Sequence, residues 1–170
     1  MRFLKYLLAA IAGIIIAIGA LVWEGTTLET FILPIGTVPV VDFASLQRTS
    51  TPNQYLLCPE GMCATETDGA APVFDVPAER LQGLWEIMVK EEPRVQEAQR
   101  DLATMQVDYV QRSRFFRFPD LVTVRFIPVN ETQSTLAIYS RSIKGMGDMG
   151  VNRARILDWL TKLQAKTAAS

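Results

Sequence analysis

Between Ser140 and Arg155 cations gather around glycines. Arg141, Lys144, Arg153 and Arg155 flank Gly145, Gly147 and Gly150, and Asp148 and Asn152 sit where a helix start could be capped. Glycine opens backbone conformations that other residues avoid. Ile156, Trp159, Leu160 and Leu163 then recur at helical spacing, so the cluster marks a helix N-terminus, where free N–H groups and the macrodipole favour negative charge. The chemistry on offer is anion binding, of a phosphate or a carboxylate, through Arg141, Lys144, Gly145, Asp148, Gly150, Asn152, Arg153 and Arg155. The same residues equally suit a structural corner in which the arginines pair with Asp148, Asp158 or glutamates elsewhere.

Cys58 and Cys63, the two cysteines of the chain, have four residues between them, with Pro59 and Gly61 to turn the backbone. In an oxidising compartment that spacing suits a small disulfide-closed loop, worth about 2 kcal/mol in the chain-entropy account. Free buried thiols, or a redox or metal site, are the alternatives. A redox dithiol of the familiar kind has two intervening residues, and a structural zinc needs four ligands. With no histidine and no further cysteine, the chain lacks the usual ligands, and it also lacks the usual general base. Ser142 and Lys144 lie close together but without a supporting motif, and no carboxylate pair stands out by spacing. No catalytic residue, metal ligand or cofactor is assigned, and the chain is not read as an enzyme. A net charge of −1 argues against nucleic acid as a partner.

A third constellation, Arg114, Phe115, Phe116 and Arg117, interleaves arginine with phenylalanine. Exposed, it suits a membrane surface bearing anionic lipid; with its rings turned inward, it is an ordinary strand end.

The elements that must position these groups begin with Leu7 to Trp23, an uncharged apolar run. As a helix of about 17 residues it reaches about 25 Å, and residues 4–23 are expected to contact the lipid bilayer as a transmembrane helix. Arg2 and Lys5 precede the run and Glu24 follows it, which predicts a cytoplasmic N-terminus and an exported remainder, a single-pass inner-membrane protein with a periplasmic domain. A cleaved signal peptide is the competing reading, although no clean A-x-A site follows. Ala9, Gly13 and Ala17 share one helix face and are a candidate docking surface for another membrane helix, so an integral membrane or envelope protein is an expected partner. The expected organisation is a signal anchor over residues 1–23, an extended tether over 24–51 that partly packs on the domain, an exported domain over 52–166 and a disordered tail over 167–170.

Within the domain, Leu81, Leu84, Trp85 and Met88 predict a helix near 76–92, with Asp75 to cap it and Pro77 in its first turn. A period of two follows, in Met105, Val107 and Tyr109, in Val122, Val124 and Phe126, and in Leu136 and Ile138, with a weaker strand over 94–100 and a turn at Asn130, Glu131 and Thr132. The expected fold is α+β: an antiparallel sheet of three or four strands, one face wet, with helices near 76–92 and 149–165 packed on the other.

The spacing of Gly145, Asp148, Gly150, Asn152 and Arg155 after a serine and arginine strand end resembles the signature of the domain-of-unknown-function family fourteen-ninety-nine, found in bacteria and plant plastids. Pro52, Asn53 and the cysteine beyond them resemble its opening motif, so the likeness covers Pro52 to Leu163. Ile143 departs from the arginine that members often carry there, which removes one donor from the anion site. The resemblance implies an exported location and no reaction. The expected function is that of a non-catalytic accessory or interaction protein of the cell envelope, with a binding module for an anionic lipid or small metabolite as the alternative and a hydrolase behind both.

Overall fold

The computed structural model describes residues 6–7, 10–14, 37–143, 145 and 147–169. Residues 1–36 and 37–170 are separate units. In the first unit the described residues are helical at 6–7 and 10–14, and Ile11 and Ile14 are exposed. Among the described residues no helix is long and apolar enough to cross a membrane. The expected transmembrane anchor is therefore not supported, nor is the location drawn from it, an inner-membrane protein with a periplasmic domain. Of the candidate docking face Gly13 is described, whereas Ala9 and Ala17 lie outside the described residues.

In the second unit the chain runs β1 (Gln54–Cys58), β2 (Gly69–Ala70), α1 (Ala78–Lys90), β3 (Val95–Asp101), β4 (Gln106–Arg112), β5 (Pro119–Pro128), β6 (Ser134–Ser142) and α2 (Val151–Ala168). The strands form one six-stranded sheet in the order β2-β1-β6-β5-β4-β3. All neighbours are antiparallel except β1 and β2, which are parallel. This corrects the expected three- or four-stranded antiparallel sheet. The extra strands are β1 and the two-residue β2; in β1 Leu56 and Leu57 are buried on opposite faces, so QYLLC shows no alternation of polar and apolar residues.

Both helices lie on one face. Leu81, Leu84, Trp85 and Met88 of α1 and Ile156, Trp159, Leu160 and Leu163 of α2 meet Val107, Val122, Val124, Phe126, Leu136 and Ile138 of the sheet. The Trp85 and Trp159 rings pack edge to face with centroids 5.6 Å apart, fixing one helix against the other. Pro77 occupies the N-cap of α1 without a side-chain cap, while Asp75 accepts a hydrogen bond from Gln133 at 2.7 Å instead of capping the helix. The helix α2 continues to Ala168, past its expected end.

The opposite face is not the wet one that was expected. Val41 and Phe43 from the segment before β1 cover it over Leu56, Cys58, Ala137 and Tyr139. This strap is held by Gln106, whose Nε2 donates to the Val41 carbonyl at 2.9 Å.

Candidate functional site

Antiparallel pairing brings three connections to one end of the sheet: 91–94 between α1 and β3, 113–118 between β4 and β5, and 143–150 between β6 and α2. They are tied together, since Arg112 N–H donates to the Arg94 carbonyl at 3.0 Å and Ile143 N–H to the Pro119 carbonyl at 3.4 Å. The signature residues and the arginine–phenylalanine turn, far apart in sequence, therefore share this loop end.

Asp148 organises the start of α2. One carboxylate oxygen accepts Gly150 N–H at 3.0 Å, and the other accepts the Asn152 backbone N–H at 2.8 Å and its side-chain amide at 2.7 Å. Burial pushes this carboxyl up, but those bonds outweigh it and hold the carboxyl below its usual range. The anion that a helix N-terminus attracts is here the chain's own carboxylate. Gly145 (φ 90°) and Gly150 (φ 79°) take left-handed conformations that shape the turn.

Asn152 and Arg155 face inward. The Asn152 amide donates to the Asn53 carbonyl at 2.9 Å, and its oxygen accepts the Ser140 hydroxyl at 2.6 Å. Arg155 donates to Ser140, to Asn152 and to Gln111, and pairs with Asp120 at 2.6 Å, both members being buried. Arg155 is thus spent on an internal partner. Sequence reasoning named Asp148, Asp158 or a glutamate for that role; Asp148 caps α2 and Asp158 pairs with Lys162. Asp120, Ser140 and Gln111 were missed, and no local spacing announces them.

The remaining cations separate. Arg141 points to the strap side, its guanidinium 4.9 Å from the Tyr139 ring centroid and donating to Thr123 at 3.2 Å; burial pulls its pKa down. On that side Thr123 donates to Asp108, a buried carboxyl whose pKa burial raises. This Asp108–Thr123–Arg141 group was not foreseen either. Lys144 lies outside the described residues. Arg153 is exposed, has no hydrogen bond or ion pair among the described residues, and lines a cleft of about 590 Å3 with Pro52, Tyr55, Gly147 and Met149. Of the proposed anion ligands, then, Arg153 faces this cleft with Asp148 and Gly150, while Arg141 and Arg155 face elsewhere.

At the neighbouring turn, Phe115 and Phe116 are 81% and 74% exposed. The turn is closed by Ser113 N–H donating to the Phe118 carbonyl at 3.0 Å, by Phe118 N–H donating to the Ser113 hydroxyl at 3.0 Å and by Arg112 donating to the Arg117 carbonyl at 3.0 Å. The Phe116 ring stacks on Phe118 at 5.7 Å, and Arg114 lies 5.5 Å from the Phe115 ring. At the far side of β1, Cys58 and Cys63 are joined in a disulfide. No group of three or more acidic, cysteine or histidine side chains that could hold a metal occurs among the described residues.

The profile of a family described as "Protein of unknown function (DUF1499)" matches residues 48–163. No curated protein matches the chain.

Proposed function

The chain belongs to the DUF1499 family of proteins of unknown function, and since membership carries no reaction with it, we propose from the chain's own residues that it is a non-catalytic interaction domain whose contact surface is the loop end. One observation carries this reading: a hydrogen-bonded turn holds the Phe115 and Phe116 rings out in water. Large aromatic side chains exposed side by side are a favoured feature of contact surfaces, and a turn already ordered loses little entropy on binding. The test places a photo-crosslinking residue at Phe116 and, as a control, at Leu102, which is 79% exposed at the opposite end of the sheet. In the native cells, products at position 116 and none at 102 support the reading. Equal yields at both positions count against it.

The cleft beside Arg153 favours a second reading, a site for a small anion, because that guanidinium is without a partner among the described residues. Titration with inorganic phosphate at low salt, followed through the backbone amide signals of residues 147–153, should show saturable shifts that Arg153→Ala abolishes. Shifts identical in the variant would dismiss it.

A further inference from the structure

We infer that the loop end binds a bilayer surface carrying anionic headgroups, with Phe115 and Phe116 entering the interface and Arg114 and Arg153 meeting phosphates. This rests on the reading of the loop end as the contact surface and names its partner.

Shape argues first. The two rings stand at the tip of a hairpin connection, a convex wedge, and a lipid interface closes around such a wedge without a preformed pocket, whereas a protein partner would need a matching cavity. Apolar surface continues where the adjoining connection enters α2, with Met149 and Val151 exposed. Charge argues second. The connection 113–118 holds no acid, and its Arg114 lies beside the exposed Phe115 ring. The acids nearby are already engaged: Asp120 by Arg155, Asp148 by the α2 N-terminus, Asp68 beside the Arg153 cleft by Arg48, Asp158 and Glu92 by Lys162, and Glu91 by Lys166. A headgroup phosphate arriving here meets cations without an unbalanced carboxylate. The turns at the opposite end, 102–105 and 129–133, hold no cation and one acid, Glu131, so an anionic surface also orients the molecule loop end first.

The test reads the site locally in the full chain. Because Cys58 and Cys63 are joined to each other, Phe116→Cys introduces a single thiol for an environment-sensitive dye, and Leu102→Cys gives the control. Vesicles of phosphatidylcholine with phosphatidylglycerol should shift the emission of the dye at 116 to the blue. Phosphatidylcholine alone should not, and high salt should reverse the shift. The dye at 102 should stay unchanged. Arg114→Ala with Arg153→Ala, carrying the same dye, should weaken the apparent affinity roughly tenfold. No shift at 116, or an equal shift with neutral lipid or at 102, overturns the inference. If position 116 crosslinks to a protein in cells while its dye reports no lipid, the bilayer falls and the contact surface stands. If both fail, both fall.

Discussion

Asp120 and Arg155 form a buried pair, and the value of such a pair is asymmetric. Taking two charges out of water offsets most of their attraction, whereas removing one partner leaves the other uncompensated. Asp120→Ala should therefore cost about 3–5 kcal/mol, read as a fall in the urea midpoint at unchanged slope. A loss below about 1 kcal/mol would mean that water reaches Arg155 and that the pair is not the keystone its burial implies. Asp108 behaves in the opposite sense. Burial raises its folded-state pKa, so the protonated form is the one that suits the fold. The stability tied to that proton is complete below the unfolded-state pKa and is lost as pH rises through the raised folded value. Asp108→Asn keeps an acceptor for Thr123 and carries no charge. It should leave stability nearly unchanged in acid and raise it at neutral pH, a crossover that thermal melts across that range would reveal. A variant less stable than the parent at pH 7 would show that Arg141 needs the carboxylate more than the fold is burdened by it.

The helix α2 is set by its first turn. Asp148→Ala strips the acceptor from the Gly150 and Asn152 N–H groups and should cost about 1–2 kcal/mol, and Gly150→Ala forces a Cβ onto a left-handed backbone for about 1–2 kcal/mol more. Denaturation curves of the two variants measure both, and midpoints equal to the parent's would mean that the corner relaxes freely. Both helices were legible in the sequence because Leu81, Trp85 and Met88 and Ile156, Trp159 and Leu163 repeat with the helical period, and β4, β5 and β6 because one of their faces alternates cleanly. The strand β1 was not, since Leu56 and Leu57 serve opposite faces, nor was β2, whose two residues are too few to carry a period. At the site, Asp148, Gly150 and Asn152 announced a capped helix start. The partner of Arg155 sits 35 residues away on β5 and meets it only through space, so nothing local could name Asp120. The arginine–phenylalanine turn was legible as a pattern, but whether its rings faced in or out depended on tertiary placement, and they face out.

At the scale of the whole molecule, the residues ahead of β1 belong to the folded unit from Thr37 onward. The sequence reading placed residues 24–51 in an extended tether that partly packs on the domain, because Pro34 and Pro39 interrupt any regular period. The compact unit begins at Thr37, and the strap it contributes is the roof of one face of the sheet. Phe43 is wholly buried there although the family match starts only at residue 48, so the face shared by β1 and β6 is closed by residues outside the matched region. A chain starting at Pro52 keeps all six strands and both helices but leaves Leu56, Ala137 and Tyr139 uncovered, and it frees the Gln106 amide. Lost burial of Phe43 and Val41 alone amounts to about 3–5 kcal/mol. A chain starting at Thr37 should therefore unfold at a distinctly higher urea concentration than one starting at Pro52, and the shorter chain should bind a hydrophobic dye that the longer one does not. Equal midpoints would mean that the strap rests on the sheet without stabilising it. Should the midpoints differ as expected, the sheet is stabilised by a core on each face, the helices over one and the strap over the other, and the loop end stands clear of both, which is what frees its aromatic tip to make contacts.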